Sequence, residues 1–354
     1  MNGFSPLDRT FMTRALQLAR CGIGGTSPNP LVGAVIVSDG RIIGEGYHIR
    51  AGEPHAEVNA VNSVKDCDRH LLPFSTMYVT LEPCSHYGKT PPCCDLIIAY
   101  GIPRVVIAAT DANLQVNGMG IQKMSDAGVD VSVGLLKEES LRLNAAFFSS
   151  HLEKRPYITL KWAQTADGFV DSVRSGGQAL QISDNVSRVA VHKLRASHDA
   201  ILVGTRTALL DNPSLNLRYW AGRTPLRLVI DRLGVLPGNL SLFDGSSRTV
   251  VFTARENLGT YGKNVEHVVL DFDNPVVPQI IDFLYRRKIN SLLVEGGPFL
   301  LQTFIDAGLW DEARIEVNPS LYLKDGVEAP VLSGYLKTGE DKCSGNQILY
   351  FRKK

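Results

Sequence analysis

The sequence predicts an α/β protein with two unlike domains, the first being a three-layer domain around a mostly parallel sheet. At 354 residues the chain is longer than one ordinary domain. Its 44% apolar and 21% charged residues are typical of a globular protein in water. β-rich runs alternate with amphipathic segments, and the alternation restarts near Arg155 without repeating the first half. We therefore predict one domain over residues 1–150 and another over 151–354.

The elements of the first half follow from apolar runs separated by turn residues. Asp39-Gly40 predicts a hairpin turn between the first two strands. The predicted elements, in chain order, are a helix over 6–20, strands over 31–37 and 41–47, a helix over 54–65, a strand over 76–81, a helix whose first turn contains Pro92 and Cys93, a strand over 104–109, a helix over 120–127, a strand over 129–133 and a helix over 138–148. Functional groups are expected at the carboxyl ends of the parallel strands.

Side chains with the chemistry of metal ligands occur at two places in this half. His55 and Glu57 belong to Pro54-His55-Ala56-Glu57, while Cys84 follows Glu82-Pro83 and Cys93 follows Pro92. One imidazole and two thiolates, with a fourth position left for water, form a usual ligand set of catalytic zinc. The order H-x-E, then P-C and a second Cys, is typical of hydrolytic deaminases of amino-pyrimidines and related bases. We predict that His55, Cys84 and Cys93 bind Zn²⁺ and that Glu57 is the catalytic acid and base.

The two cysteines are farther apart than the usual C-x-x-C spacing, since eight residues separate Cys84 from Cys93. The intervening residues are polar and rich in Gly and Pro, so we expect them to loop out while both sulfurs converge. Cys94 is an alternative ligand, but neighbours on a helix point about 100° apart, so we expect it to pack in the core. Taken singly, these residues would indicate only a core histidine, a solvated glutamate and buried cysteines.

Composition excludes several classes of function. A formal charge of +1 gives no case for nucleic-acid binding, which depends on clustered basic residues. Six scattered cysteines in a chain of this length do not form a disulfide framework. No apolar run approaches the roughly 20 residues of a membrane span, and the N-terminus lacks the apolar region of a signal peptide. Residues 6–20 carry arginines and an apolar stripe, which a transit peptide would also have, but we favour a helix packed on the sheet. We expect a cytoplasmic protein.

Three features of the second half combine a strand with a turn. Residues 161–168 end a strand in a turn, residues 194–204 form a helix, a strand and a glycine turn, and Leu292-Leu293-Val294 leads through Glu295-Gly296-Gly297 into a helix. A strand–Gly-Gly–helix junction leaves backbone N–H groups available for phosphate, although glycine also serves turn geometry alone. The chain has no G-x-G-x-x-G sequence at such a junction, which disfavours a Rossmann domain.

Several of these segments resemble the bifunctional riboflavin-biosynthesis deaminase–reductases. The resemblance rests on Ser27-Pro28-Asn29-Pro30-Leu31-Val32-Gly33, Gly46-Tyr47-His48, Gly52-Glu53-Pro54-His55-Ala56-Glu57 and the segment from Pro83 to Cys93, and it continues through the three features above. It implies a cytidine-deaminase-like domain followed by a dihydrofolate-reductase-like domain that uses NADPH. The implied reactions are deamination of 2,5-diamino-6-ribosylamino-4(3H)-pyrimidinone 5′-phosphate and reduction of its ribosyl side chain to ribityl.

The resemblance also implies residue roles. The residues implied to lie along NADPH are Ala163, Thr207, Asp211, Gly297, Pro298, Phe299, Leu300, Leu301, Gln302 and Thr303. Those implied to face the substrate are Asn29 in the first domain and Arg195, Leu215, Arg218 and Glu295 in the second. Without the resemblance, Asn29 would be a turn residue between prolines and Arg218 a solvated surface charge. We also expect a homo-oligomer formed through the second domain.

Two segments depart from the family pattern. Asp111-Ala112-Asn113-Leu114 lacks the prolines of the expected D-P-N-P turn, and Gln181 stands where family members carry tryptophan.

Three other functions share part of the pattern. A nucleic-acid-editing deaminase would need a basic track with aromatic residues. A free cytidine or deoxycytidylate deaminase would not need roughly 200 further residues. A non-enzymatic zinc protein would usually close the metal site with a fourth protein ligand.

Overall fold

A computed structural model describes residues 3–87, 91–112, 118–174, 178–256 and 261–354. The chain divides into two compact units, Met1–Lys154 and Arg155–Lys354, called here unit 1 and unit 2. None of the helices within the described ranges combines the length and the apolar character needed to cross a bilayer.

Unit 1 alternates helices and strands largely as the sequence predicts. Its helices are α1 (Pro6–Arg20), α2 (Ala56–Asn62), α3 (Cys93–Ala99), α4 (Met119–Asp126), α5 (Lys137–Leu143) and α6 (Ala145–Phe148). Its strands are β1 (Gly33–Ser38), β2 (Arg41–Tyr47), β3 (Thr76–Leu81), β4 (Arg104–Ala109) and β5 (Asp130–Val133). A 3₁₀ helix at Asp66–Phe74 and a π-helical turn at Ser149–Glu153 were not predicted.

Two predicted helix starts were wrong by one or two residues. The helix predicted from Pro54 begins at Ala56, because His55 has extended backbone (φ −71°, ψ 166°) and is the N-cap residue. Pro92 likewise precedes α3 as its N-cap instead of lying in its first turn. Both zinc-ligand candidates at these positions therefore stand at the point where an extended segment turns into a helix.

The sheet of unit 1 has five strands in the order β2-β1-β3-β4-β5. β1 pairs antiparallel with both β2 and β3, while β3, β4 and β5 pair in parallel, so β1 alone runs against the others. Val61, Ile97 and Met124 of α2, α3 and α4 pack against one face. Phe11 and Met12 of α1 pack against the other face. The unit is therefore the predicted three-layer domain.

Two glycines allow the helices to approach this sheet closely. A Cβ atom at Gly33 would lie 2.0 Å from the Ala15 carbonyl oxygen of α1, and one at Gly46 would lie 2.3 Å from the Ala60 nitrogen of α2. Gly33 ends the first motif quoted above and Gly46 begins the second. These glycines are required by backbone packing that no larger residue permits.

A buried carboxylate connects α1 to the middle of the sheet. The Asp8 carboxylate accepts a hydrogen bond from the backbone N–H of Ser5 at 2.8 Å. It also accepts hydrogen bonds from Tyr78 Oη at 2.7 Å and Arg104 Nη1 at 2.9 Å. Burial alone would raise the pKa of Asp8, but the hydrogen bonds from Arg104, Tyr78 and Ser5 outweigh it and hold the pKa well below its usual range.

Unit 2 is built on a large sheet with helices on both faces. Its helices are α7 (Asn185–Ala196), α8 (Thr205–Asp211), α9 (Val276–Arg286) and α10 (Pro298–Asp306). Its strands are β6 (Tyr157–Thr165), β7 (Phe169–Asp171), β8 (Ala200–Val203), β9 (Leu226–Ile230), β10 (Thr249–Thr253), β11 (Val265–Val269), β12 (Ser291–Val294), β13 (Glu312–Asn318), β14 (Val327–Glu328), β15 (Tyr335–Cys343) and β16 (Asn346–Lys353). A short 3₁₀ helix lies at Ser241–Phe243.

The nine-stranded sheet has the order β11-β10-β9-β8-β12-β6-β13-β16-β15. The strands from β11 to β13 pair in parallel, and only β16 and β15 add antiparallel pairs. Separate apolar clusters cover the two faces. β6, β8 and β12 are neighbours at the centre, so their carboxyl ends meet where α8 and α10 begin. Such an edge is where open parallel sheets bind ligands.

Candidate metal centre and cofactor cavity

His55, Cys84 and Cys93 come together in unit 1, with their ligand atoms all within 4.8 Å of one another. His55 Nδ1 lies 3.3 Å from Cys93 Sγ and 3.6 Å from Cys84 Sγ. His55 precedes α2, Cys84 follows β3, and Cys93 begins α3, so three separate segments supply the three atoms. One imidazole nitrogen and two sulfurs, without a carboxylate, fit the preference of zinc. Part of the segment between the two cysteines, residues 88–90, lies outside the described residues.

The ionisation of the two thiols differs. A hydrogen bond with Cys93 is the largest cause that lowers the pKa of Cys84 to about 4, and bonds with His55 and the Cys93 amide act in the same direction against burial. The same contact with Cys84, together with burial, raises the pKa of Cys93. One negative charge is thus held between the two sulfurs, and a bound cation favours the thiolate form of both.

Glu57 is buried beside these atoms, with 3% of its surface exposed. Burial raises its pKa to about 7, while the charge of His55 and a hydrogen bond with Cys93 act in the opposite direction. Glu57 is not one of the three residues whose ligand atoms converge. A carboxyl group that titrates near neutrality and does not bind the metal is suited to proton transfer.

Asn29 is connected to this centre through His48, a residue that the sequence-based assignment missed. His48 Nδ1 lies 3.1 Å from the Pro54 carbonyl oxygen, so the ring proton is on Nδ1 and Nε2 accepts the Asn29 amide at 3.1 Å. The His48 ring packs edge-on against His55 at 5.5 Å between centroids. The bond to His48 uses one N–H of the Asn29 amide, and Oδ1 and the second N–H are the groups that Asn29 can offer to a ligand. His48 stands in the quoted Gly46-Tyr47-His48 motif, which was the signal for it.

Glu82 has a structural part in the same region. Its carboxylate accepts backbone N–H groups of Gly118 at 3.0 Å and Gly120 at 3.1 Å. These bonds hold the start of α4 against the segment that carries Cys84. Of the segment Asp111-Ala112-Asn113-Leu114, which lacks the family prolines, residues 113 and 114 lie outside the described residues. Cys94 is fully buried in the core as expected and is not among the converging ligands.

Unit 2 contains a cavity of about 890 Å³ at the carboxyl ends of the central strands. Nine of the ten residues implied to lie along NADPH line it, namely Ala163, Thr207, Asp211, Gly297, Pro298, Phe299, Leu300, Leu301 and Thr303. The tenth, Gln302, donates instead to the Asp306 carboxylate at 2.8 Å and to the Val331 carbonyl. The size of the cavity suits an extended organic cofactor.

The glycine junction in this cavity differs from the expected one. The Gly297 N–H does not stay available for a phosphate, because it donates to Thr207 Oγ1 at 2.9 Å. Gly297 has φ +22°, and a Cβ atom on Gly296 would lie 3.1 Å from the Thr207 methyl group. Thr207 therefore fixes the turn that leads into α10, and the side chain and the turn form one wall of the cavity.

Two arginines form ion pairs with acidic residues around the cavity. Arg195 donates to both carboxylate oxygens of Glu295, with N···O distances of 2.8 and 2.6 Å. Their side chains are only 13% and 8% exposed. Arg174 pairs with Asp171 and, at 2.7 Å, with Asp211. Glu295 and Asp211, two residues implied for ligand binding, are thus each ion-paired with an arginine of the same unit.

The residues implied to face the substrate are spread over several positions. Glu295 lines the cavity, whereas Arg195 reaches it only through Glu295. Leu215 is 1% exposed within an apolar cluster. Arg218 is held through its backbone N–H, which donates to His192 Nδ1 at 3.1 Å. These substrate roles remain predictions.

Sequence reasoning missed other residues that line the cavity, among them Lys161, Arg174 and Ser183. Lys161 stands in the first of the three features of the second half, and Ser183 in the segment that departs from the family pattern. In the sequence, Lys161, Arg174 and Ser183 cannot be distinguished from ordinary polar residues. Ser175, Gly176 and Gly177, at the start of the departing segment, lie outside the described residues.

Two family models match the chain. The model for the cytidine and deoxycytidylate deaminase zinc-binding region matches residues 5–109, and that for the RibD C-terminal domain matches residues 156–322. The riboflavin biosynthesis protein RibD of Aquifex aeolicus is 39% identical over 320 residues, which cover 89% of this chain and 88% of the relative. That of Escherichia coli is 36% identical over 349 residues, which cover 94% and 93%.

Solved structures agree. The chain is similar to a diaminohydroxyphosphoribosylaminopyrimidine deaminase/5-amino-6-(5-phosphoribosylamino)uracil reductase of Thermotoga maritima, with 38% identity and a TM-score of 0.91. That comparison covers 98% of this chain and 99% of the other. RibD of Acinetobacter baumannii is 30% identical with a TM-score of 0.87, over 98% and 99% of the two chains. These matches confirm the predicted fold class, a cytidine-deaminase-like domain followed by a dihydrofolate-reductase-like domain.

Proposed function

Because this chain belongs to the RibD family of bifunctional riboflavin-biosynthesis deaminase–reductases, we propose that it converts one small pyrimidine ribosyl phosphate in two steps. The first step releases ammonia from 2,5-diamino-6-ribosylamino-4(3H)-pyrimidinone 5′-phosphate. The second reduces the ribosyl side chain to ribityl. We assign the first step to residues 1–150 and the second to residues 151–354. The convergence of His55, Cys84 and Cys93 beside Glu57 carries the proposal.

For the deaminase, His55, Cys84 and Cys93 would hold the zinc ion. Zinc in such a site supplies Lewis-acid activation of water. Glu57 accepts a proton from the attacking water and delivers it to the departing amine, a role that its pKa of about 7 suits. Asn29, oriented by His48, presents Oδ1 to an N–H group of the pyrimidine.

The ligand set supports catalysis over a purely structural zinc site. Within the described residues the converging group consists of three protein ligands, and the nearby Glu57 is not one of them. Structural zinc sites usually have four protein ligands, whereas catalytic sites leave one position for water or substrate. The open position and the buried carboxyl group together are what hydrolytic deamination requires.

For the reductase, NADPH would occupy the cavity of unit 2 and supply the hydride. The turn formed by Gly296 and Gly297, held by Thr207, would contact the cofactor together with Ala163 and the start of α10, which line the same cavity. Glu295 faces the substrate, and Arg195 keeps its carboxylate in place and charged. Asp211, held by Arg174, also lines this cavity.

The proposal includes a homo-oligomer formed through unit 2 and a cytoplasmic location. The partners are small molecules, and neither nucleic acid nor a membrane is involved. The formal charge of +1 supports this choice, since nucleic-acid binding needs clustered basic residues.

One incubation tests the whole proposal. The purified chain is given the diaminopyrimidine phosphate with and without NADPH, and the products are identified by mass. We expect the loss of an amino group with ammonia release in both samples, and a further gain of two hydrogens only with NADPH. Absence of ammonia release from a zinc-loaded sample would refute the deaminase assignment, and unchanged NADPH in the presence of deaminated substrate would refute the reductase assignment.

A further inference from the structure

A fully buried carboxylate lies just behind the wall of the cavity in unit 2. Glu316 of β13 is 0% exposed and stands opposite Ala163 of β6 in the sheet register. Its Oε2 accepts the Ser183 hydroxyl at 2.9 Å, and its Oε1 accepts the Asn346 amide at 2.7 Å. Both carboxylate oxygens are thus occupied by side chains of the same unit.

The residue before Ser183 is held by the same group of side chains. The Ile182 carbonyl oxygen accepts amide N–H groups from Asn318 and Asn346, each at 3.2 Å. Ile182 and Ser183 line the cavity, whereas Glu316, Asn318 and Asn346 are not part of its lining. Three side chains behind the wall therefore hold two consecutive residues that form its surface.

This stretch depends on such anchors because residues 178–183 form neither helix nor strand. Asp171 accepts the Leu180 N–H at 3.0 Å on one side, and Asp184 caps α7 through the Ser187 N–H at 2.8 Å on the other. Between the Asp171 and Asp184 contacts, Gln181 is exposed, and Ser183 is bound by Glu316. The position of the wall is therefore set by side-chain hydrogen bonds and not by a backbone ladder.

The chemistry of Glu316 favours ordering over stability as its contribution. Burying an ionised carboxylate is costly, and a well-packed apolar side chain in the same space is often at least as stable. A carboxylate, however, accepts two directional hydrogen bonds at once, which an apolar residue cannot do. Here these two bonds lead to the wall residue Ser183 and to Asn346, which in turn reaches Ile182.

We propose that Glu316 is a positioning residue of the reductase, which fixes Ile182 and Ser183 as the wall against which NADPH lies. This inference rests on the proposed function, since it takes NADPH to be the occupant of the cavity. Glu316 acts through Ser183 and Asn346 and does not itself touch the cofactor.

Two substitutions test the connection. Glu316→Gln keeps the size of the side chain but removes its charge, so the bonds to Ser183 and Asn346 lose their charge-assisted strength. Ser183→Ala removes the hydroxyl from the wall itself without changing β13. We expect each to raise the dissociation constant for NADPH roughly tenfold, the effect of one lost hydrogen bond to a charged group. The double variant should resemble Glu316→Gln alone, because both changes act on the contact between Glu316 and Ser183.

Glu312→Gln is the matched control. Glu312 lies on the same strand and accepts the Tyr157 hydroxyl at 3.1 Å, but it is not part of the cavity lining. Its substitution should leave the dissociation constant for NADPH unchanged. Ammonia release, measured in every variant, should stay at the level of the unsubstituted chain. Equal weakening by Glu312→Gln, or additive effects of Glu316→Gln and Ser183→Ala, would overturn the inference.

Hydrogen exchange tests the anchor without any cofactor. In Glu316→Gln, amides of residues 178–184 should exchange at least about tenfold faster, while those of Glu312→Gln should not change. Unchanged exchange in Glu316→Gln overturns the inference. If the unsubstituted chain binds no NADPH, the proposed reductase function fails, and the exchange result still decides whether Glu316 holds this wall.

Discussion

Arg195 and Glu295 are 100 residues apart in the chain and form a two-point ion pair inside unit 2, with N···O distances of 2.8 and 2.6 Å. The pairing favours the ionised form of both groups. Burial alone would raise the pKa of Glu295, but the charge and the hydrogen bonds of Arg195 lower it. The two residues therefore act as one unit, and changing one of them leaves the other buried with its charge unpaired.

Arg195→Met should destabilise unit 2 strongly, by about 3–5 kcal/mol, because it leaves the Glu295 carboxylate buried without its partner. The double change Arg195→Met with Glu295→Met should cost much less, since neither charge remains. Melting temperatures of the two variants and the unsubstituted chain measure the difference. A double variant that melts as low as the single one would contradict this account.

Glu57→Gln should retain zinc but lose ammonia release by at least about 10⁴-fold, because the amide cannot accept the proton of water. Zinc content per chain and ammonia release measure the two effects on one sample. Glu53→Gln, a change of a more exposed neighbouring carboxylate, is the control and should keep both. Retained deamination in Glu57→Gln would contradict the role assigned to this residue.

Cys84→Ser should lose both zinc and ammonia release, because a hydroxyl is a much poorer ligand for zinc than a thiolate. Cys94→Ser is the control and should keep zinc, since Cys94 packs in the core and lies outside the converging group. A chelator should abolish ammonia release from the unsubstituted chain, and added zinc should restore it. Full zinc content in Cys84→Ser would argue against this ligand set.

Asp8→Asn should lower the melting temperature of unit 1 near neutral pH by about 5 °C, the effect of weakened bonds to Tyr78 and Arg104. Because the folded-state pKa of Asp8 is depressed, its contribution is complete above the unfolded pKa of about 4. It is lost as the pH falls below that value toward the folded-state pKa. Melting curves from pH 7 to pH 2 should show the gap between the two proteins narrowing only below about pH 4, and a constant gap would contradict the assignment.

Gly46→Ala should destabilise unit 1 by about 3 kcal/mol or more, because the added methyl group would lie 2.3 Å from the backbone nitrogen of Ala60. Gly40→Ala is the contrasting change. A Cβ atom there meets nothing within 4 Å, although the positive φ of +71° still adds some strain. Denaturant unfolding measures both, and a milder effect at Gly46 than at Gly40 would contradict the close packing of α2.

Sequence alone predicted much of unit 1, because its strands are short apolar runs between clear turns. β2, β3 and β4 have the bounds predicted for them. It did not predict the 3₁₀ helix at Asp66–Phe74, whose mixed polar sequence has no period that identifies it. The metal-ligand candidates were found because H-x-E, then P-C and a second Cys, is a known order of residue types, even though the spacing of the two cysteines is unusual.

The contacts of unit 2 were harder to predict. Thr207 was expected along NADPH, but its bond to the Gly297 N–H joins residues 90 apart and depends on the sheet order. The pairing of Glu316 with Ser183 joins residues 133 apart and involves a segment without regular structure. Neither pair is marked by a sequence motif, because its two residues are far apart in the chain. The contacts can therefore be identified only in the folded structure.

The zinc-ligand candidates also offer a practical measure of folding. His55, Cys84 and Cys93 come from the start of one helix, the segment after a central strand and the start of another helix, so no short fragment of the chain presents all three at the required distance. Metal uptake should thus report how much of a preparation has assembled its first half. A dye that changes colour with released zinc would then count folded molecules, even in samples that have no substrate to turn over.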